Sequence, residues 1–242
     1  MAYKDAWAYQ EQLMQFNIEQ KILVKKQQSG SLDQTQPACT KNHFLLCEHP
    51  AVYTLGRNGN SDNILISEKD LEEKKIELYR TNRGGDITFH GPGQIVGYPI
   101  LDLEKYSTDI SFYLNRLEEI IIRTLAEYGI AAGRSPGETG VWIAPAIKGE
   151  ARKICAIGIR CSRWITMHGF ALNVNTDLGY FDDIIPCGIQ DKDVTSIQKE
   201  VSGTINMDEV KDKICRHFED VFESNLLIKV TPPPIAYQAP IH

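Results

Sequence analysis

The sequence predicts one α+β domain, with helices packed on a mixed β-sheet. Three observations predict it. Two long stretches carry apolar residues at helical spacing, the run between them is dense in β-branched and aromatic residues, and no linker-like stretch interrupts residues 40 to 228. With 242 residues, 42% of them apolar and 24% charged, the chain can fill one sizeable core.

Residues 3 to 24 set Trp7, Leu13, Phe16, Ile22 and Leu23 among polar neighbours, which predicts an amphipathic N-terminal helix with these five on its apolar side. The stretch QQSGSLDQTQP that follows reads as a polar loop. HFLLCEH (43 to 49) and AVYTLGR (51 to 57), split by Pro50, read as two short strands or a strand and its exit. Over residues 111 to 128, Leu114, Leu117, Ile121, Leu125 and Tyr128 recur at three- and four-residue steps, with Asp109 placed to cap a helix and Gly129 to stop it. A second helix is expected over 207 to 226, where Val210, Ile214, Phe218, Val221 and Phe222 share a face behind the capping candidate Asn206. Between these helices, GVWIAP and residues 153 to 175 read as strands. The segment VTPPPIAYQAPIH has four prolines in thirteen residues and reads as an extended tail. The expected division is a catalytic domain over 1–228 and a proline-rich tail over 229–242.

Several function classes are disfavoured. No run approaches the roughly 18 apolar residues of a membrane helix, and the first sixteen residues lack the basic start and apolar core of a secretory signal. The expected address is cytoplasmic, with no membrane partner. Six scattered cysteines do not make a secreted disulfide framework, so free thiols are expected. No Cys-x-x-Cys, His-Glu-x-x-His or tight His/Cys grouping supports a metal site. A net charge of -6 argues against nucleic acid as a partner.

The chemistry-bearing segment is RGGDITFHGPGQ (83 to 94), in which four of twelve positions are glycine against 18 in 242 overall. Glycine is placed where a positive φ or a close approach excludes a Cβ, so this segment is expected to line a substrate. It is not a dinucleotide fingerprint: Pro92 interrupts the glycines, and GYPILDL follows where a phosphate-capping helix should begin. Cys187, between Pro186 and Gly188, sits on a fixed turn that could present its sulfur; a buried structural thiol is the equally weighted alternative. A cysteine pKa of roughly 8.5 leaves little thiolate at neutral pH. Lys153 could supply the missing activation, since an ammonium about 4 Å from the sulfur would favour thiolate by up to roughly 4 kcal/mol at an effective dielectric near 20. Its surroundings, residues 148 to 163, hold Lys148, Arg152, Lys153, Arg160 and Arg163 against Glu150, a local balance of 5 - 1 = +4.

Together, EHPAVYTLGR, RGGDITFHGPGQIVGYPILDL, Lys153 followed by AIG, HGFALNVN, PCGI and VTS, in this order, resemble the lipoyl(octanoyl) transferases. The resemblance implies a fold like that of the biotin and lipoate protein ligases, and transfer of an octanoyl (or lipoyl) group from acyl carrier protein to a lysine of a lipoyl domain. It implies Cys187 as the carrier of an acyl thioester and Lys153 as the residue that tunes it. It also implies an acyl pocket formed by Arg83, Gly84, Gly85, Asp86, Ile87, Thr88, Phe89, His90, Ala156, Ile157, Gly158, Gly169, Phe170 and Ala171. No cofactor or metal is implied. The implied donor is octanoyl-acyl carrier protein, and the acceptors are the lipoyl domains of 2-oxoacid dehydrogenase E2 subunits and the glycine cleavage H protein. The +4 segment would then steer an acidic carrier through Arg160 and Arg163. His90 and His168 are given no proton-transfer role. Two rivals remain: an ATP-dependent lipoate or biotin protein ligase, and a non-catalytic acyl-carrier binding module.

Overall fold

Two sheets and three long helices dominate the chain in a computed structural model, which describes residues 1–29, 38–186 and 193–227. Cys187, most of the polar loop and the proline-rich tail lie outside the described residues. The larger sheet runs β1 (His43–Cys47), β5 (Gln94–Ile100), β9 (Ile165–Asn173), β8 (Arg152–Ser162), β7 (Glu138–Ile143), β6 (Ala132–Ser135), with β10 (Asp193–Val194) beside the start of β8. All its pairings are antiparallel except β10 with β8. The smaller sheet runs β3 (Glu77–Arg80), β2 (Val52–Leu55), β4 (Ile87–His90), with β2 and β3 parallel. The strands around Pro50 therefore belong to different sheets. The β8–β9 hairpin turns at Arg163 and Trp164, both at positive φ (51° and 64°), the geometry that matches strand twist in a two-residue loop.

One face of the large sheet is covered by α3 (Ile110–Ala126) and α5 (Met207–Phe222). As expected, Asp109 caps α3 and Asn206 caps α5, each through Oδ1 accepting two backbone N–H groups. Helix α3 buries Tyr113, Leu117, Ile120, Ile121 and Leu125, while Leu114 and Tyr128 of the expected stripe are only half-buried. Helix α5 buries all five expected residues, but stops at Phe222 rather than 226, because Glu223 takes a left-handed conformation (φ 49°). The short helices α2 (Glu68–Lys74) and α4 (Ile197–Val201) were not anticipated.

The other face is covered by α1 (Tyr3–Gln28), which forms as predicted but turned differently. Its buried residues are Tyr3, Ala6, Gln10, Met14, Asn17 and Lys21. Phe16 and Leu23 face outward, 38% exposed each. The polar members of the buried stripe each make at least one hydrogen bond, which offsets the cost of burying them, although Gln10 Nε2 is buried without a partner. Gln10 Oε1 accepts from the His168 N–H, Asn17 exchanges two hydrogen bonds with the Lys41 backbone, and Lys21 Nζ donates to Asp102 Oδ1 and the Arg163 carbonyl at 2.9 Å each. Among the described residues no helix is long and apolar enough to cross a membrane, and the five described cysteines are free.

Candidate active site

A cavity of about 520 Å³ opens where β8 loses its neighbour on one side. The β7 pairing with β8 ends at Cys155, while β9 continues alongside to Ser162. On the vacated edge the Ile159 carbonyl accepts from Gly84 N–H at 2.8 Å. Residues two apart in a strand point their peptide groups the same way, so Ile157 directs its N–H and C=O to that same edge. The glycines let the loop come this close. A Cβ on Gly158 would stand 2.7 Å from the Gly84 carbonyl oxygen, and Gly85 has a φ of +87°. At Gly158, then, the chain itself makes the close approach that sequence reasoning assigned to a ligand.

The cavity is bounded by Arg83 through Thr88, His90, Lys153, Ala156 to Gly158, and Gly169 to Ala171. Phe89 is the exception among the expected pocket residues. Its side chain belongs to the small-sheet core and stacks on Tyr180 with ring centroids 4.5 Å apart, because strand alternation turns Phe89 to the face of β4 opposite to Thr88 and His90. Arg83 is a brace: its guanidinium donates to the Thr54 carbonyl (2.6 Å), Thr54 Oγ1 (2.9 Å) and the Gly84 carbonyl (3.0 Å). Asp86 ties down the preceding loop, accepting from the N–H groups of Ile87 and Asn60 and from Asn63 Nδ2.

Both cavity histidines are held neutral. His90 Nδ1 donates to Gln94 Oε1 (2.9 Å), an assignment fixed because Gln94 Nε2 donates to the Phe89 carbonyl and to Asn173 Oδ1. Burial, then the nearby His49 and Arg83, push its pKa well down. His168 sits at φ +58° within β9, a conformation costly for a non-glycine residue. Its Nε2 donates to Asn82 Oδ1 (2.7 Å), and burial, then Arg83, lower its pKa to about 3. These bonds fit histidines that shape the wall.

Lys153 reaches the cavity from β8, its ammonium 4.5 Å from the centroid of the buried Trp142 ring. Val194 of β10 pairs with Lys153 and also lines the cavity, as does Pro186. Pro186, which precedes Cys187 in the sequence, and Val194, beside Lys153, thus line one cavity. Two arginines of the basic segment are paired with carboxylates. Arg152 is clamped by Glu200 (2.7 and 2.6 Å), Arg160 stands 3.8 Å from Glu11, and Arg163 occupies the hairpin turn. Sequence reasoning missed Tyr3, Tyr98 and Asn173 in the cavity wall and Trp142 under the lysine. Strand register brings the last three there and the packing of α1 on the sheet brings Tyr3, and no local motif announces either.

The family model described as the lipoyl protein ligase A/B catalytic domain matches residues 2–219. The chain is 55% identical over 225 residues to an octanoyltransferase of Christiangramia forsetii, covering 93% of each chain, and 55% identical over 226 residues to one of Flavobacterium johnsoniae, covering 93% of this chain and 94% of that one. Among solved structures, a bipartite lipoate protein ligase from Thermoplasma acidophilum, described with its E2 lipoyl domain, aligns with a TM-score of 0.61 at 16% identity, covering 86% of this chain and 80% of that one. A lipoate-protein ligase A bound with ATP aligns with a TM-score of 0.63 at 15% identity, covering 81% and 77%. With its fold shared by lipoate protein ligases and its sequence close to octanoyltransferases, the chain belongs to the lipoyl protein ligase A/B catalytic domain family.

Proposed function

We propose that the chain moves an octanoyl group from octanoyl-acyl carrier protein to a lysine of lipoyl domains through a thioester on Cys187, with Lys153 controlling the protons. The chain is an acyltransferase of protein lipoylation, as its identity to octanoyltransferases over 93% of its length supports. The acceptors are lipoyl domains, those of 2-oxoacid dehydrogenase E2 subunits and the glycine cleavage H protein. A thiol nucleophile suits the cytoplasm, where cysteines stay reduced.

One observation carries the cysteine route: Pro186, the residue before Cys187, lines the same cavity as Lys153, and Val194 pairs with Lys153 directly. The Lys153 ammonium stabilises the Cys187 thiolate. The thiolate attacks the donor's thioester carbon to give a tetrahedral oxyanion. The C–S bond to the carrier arm breaks, and the leaving thiolate takes a proton from Lys153. The neutral Lys153 amine then takes a proton from the acceptor's ammonium. The freed amine attacks the Cys187 thioester, its second proton passes to solvent as the amide forms, and Cys187 leaves as thiolate beside the protonated Lys153. Thioester to amide runs downhill, so neither ATP nor a cofactor is needed.

An ATP-dependent ligase is the nearest rival, because a fold neighbour binds ATP. The two part at Cys187→Ser. We expect this variant to lose transfer from octanoyl-carrier to a lipoyl domain by at least a thousandfold, with no recovery on adding ATP and free octanoate. Retained activity, or recovery with ATP, would overturn the cysteine route.

A further inference from the structure

The ladder registers place a polar end wall across the cavity, away from Lys153. Gly97 pairs with Phe170, so Tyr98 comes alongside Gly169, which faces Gly158; His168 faces Ile159. Tyr3 of α1 closes the same end, stacked on His90 (5.7 Å between centroids, 11° between planes) and edge-on to His49 (5.4 Å). Three of the rings that meet the cavity, Tyr3, Tyr98 and His168, are each at least 97% buried. Each is pinned from behind. His49 Nε2 accepts from the Tyr98 hydroxyl at 2.8 Å, His49 Nδ1 donates to the Met1 carbonyl at 2.9 Å, and the Gln10 side chain holds the His168 N–H. His168 Nδ1, an acceptor because Nε2 carries the proton, is buried with no partner.

The reactive end lies near Cys155, where the Lys153 stem runs beside Gly140: Lys153 Cε lies 3.5 Å, and the Cys155 carbonyl oxygen 2.6 Å, from where a Gly140 Cβ would stand. From Cys155 to Ile159 is four residues, about 13 Å of strand. An extended acyl chain advances about 1.25 Å per C–C bond, so eight carbons span about 9 Å and the terminal methyl adds about 2 Å. Octanoyl fits short of the wall, whereas two further methylenes would press on it and on the unpaired His168 acceptor.

Resting on the acyl-transfer reading above, we infer that Tyr3, Tyr98 and His168 are specificity-determining residues that set acyl-chain length, with Tyr3 as the adjustable stop. One added methylene changes discrimination by roughly 10- to 200-fold in a well-formed pocket. The test is competition between hexanoyl-, octanoyl- and decanoyl-pantetheine thioesters for transfer by the full chain to a lipoyl domain, read by the mass of the acylated acceptor. Tyr3→Ala should raise the decanoyl-to-octanoyl ratio of kcat/KM at least tenfold. Tyr3→Trp should move preference toward hexanoyl, and Tyr3→Phe should leave the ratio as in the parent. Tyr79→Ala is the control for loosening, since Tyr79 stacks on Tyr3 at 5.5 Å but does not line the cavity; its ratio should stay put. Unchanged ratios in both Tyr3→Ala and Tyr3→Trp, with an active parent, would overturn the stop. A parent that transfers no acyl chain of any length would instead sink the acyl-transfer reading itself.

Discussion

The two faces of the large sheet are covered by opposite kinds of helix. Under α3 and α5 the contacts are mostly apolar: Leu117, Ile120, Ile121 and Leu125 meet Val210, Ile214 and Phe218 in one continuous core, with Glu118 the buried charge, paired with Arg134 and the Gly140 N–H. Under α1 the buried stripe includes glutamine, asparagine and lysine, each hydrogen-bonded to a different element. The difference separates two tasks. An apolar face contributes burial at about 25 cal/mol per Å² but tolerates repacking, whereas directional bonds fix position. Helix α1 lends Tyr3 to the cavity wall and holds His168 through Gln10, so the site stands on the polar side and the bulk of the core on the other.

Acid should expose this contrast most strongly. All buried histidines among the described residues, His49, His90 and His168, lie toward α1 and are held neutral, His49 with a pKa lowered to about 4 by burial. A lowered pKa means the unfolded chain binds more protons below pH 6.5, so stability present above that pH is lost as pH falls. His49 and His168 should each remove up to about 1.4 kcal/mol per pH unit, about 3 kcal/mol each by pH 4. Urea unfolding from pH 7 to 4 checks this; a flat profile would contradict the neutral assignment.

Lys21 should be the next most costly loss. Its ammonium is held by Asp102, Glu104 and the Arg163 carbonyl at 2.9 Å each, with the Lys21 side chain 10% exposed. Lys21→Met leaves Asp102 buried without its cation and should cost about 3 to 5 kcal/mol. On the apolar side Leu117→Ala should cost about 3 kcal/mol through its cavity. Denaturant midpoints would rank the two. The smallest effect is expected at Phe16→Ser, within about 0.5 kcal/mol by the same measurement, because Phe16 faces outward.

The same contrast explains what was legible in the sequence. Helices α3 and α5 could be read because burial there follows apolar spacing, as at Ile121 and Ile214. The face of α1 could not, because Gln10, Asn17 and Lys21 are buried by partners distant in sequence, and apolar spacing pointed instead to Phe16 and Leu23. The glycine-rich loop was legible as a cavity wall because its backbone needs are local. Phe89 was misplaced within it because strand alternation, invisible in a motif, turns it into the small core. Tyr98 reaches the cavity only through sheet register, and Tyr3 only through the packing of α1 on the sheet.

The central claim is that an acyl group rests on Cys187 beside Lys153. Mixing the full chain with octanoyl-carrier, without acceptor, and measuring its intact mass tests this most directly. The expected result is a gain of one octanoyl group, mapped to Cys187 by fragmentation, slowed by Lys153→Met and discharged on adding a lipoyl domain. A chain that acylates the acceptor while never gaining that mass, or gains it on another residue, would contradict it.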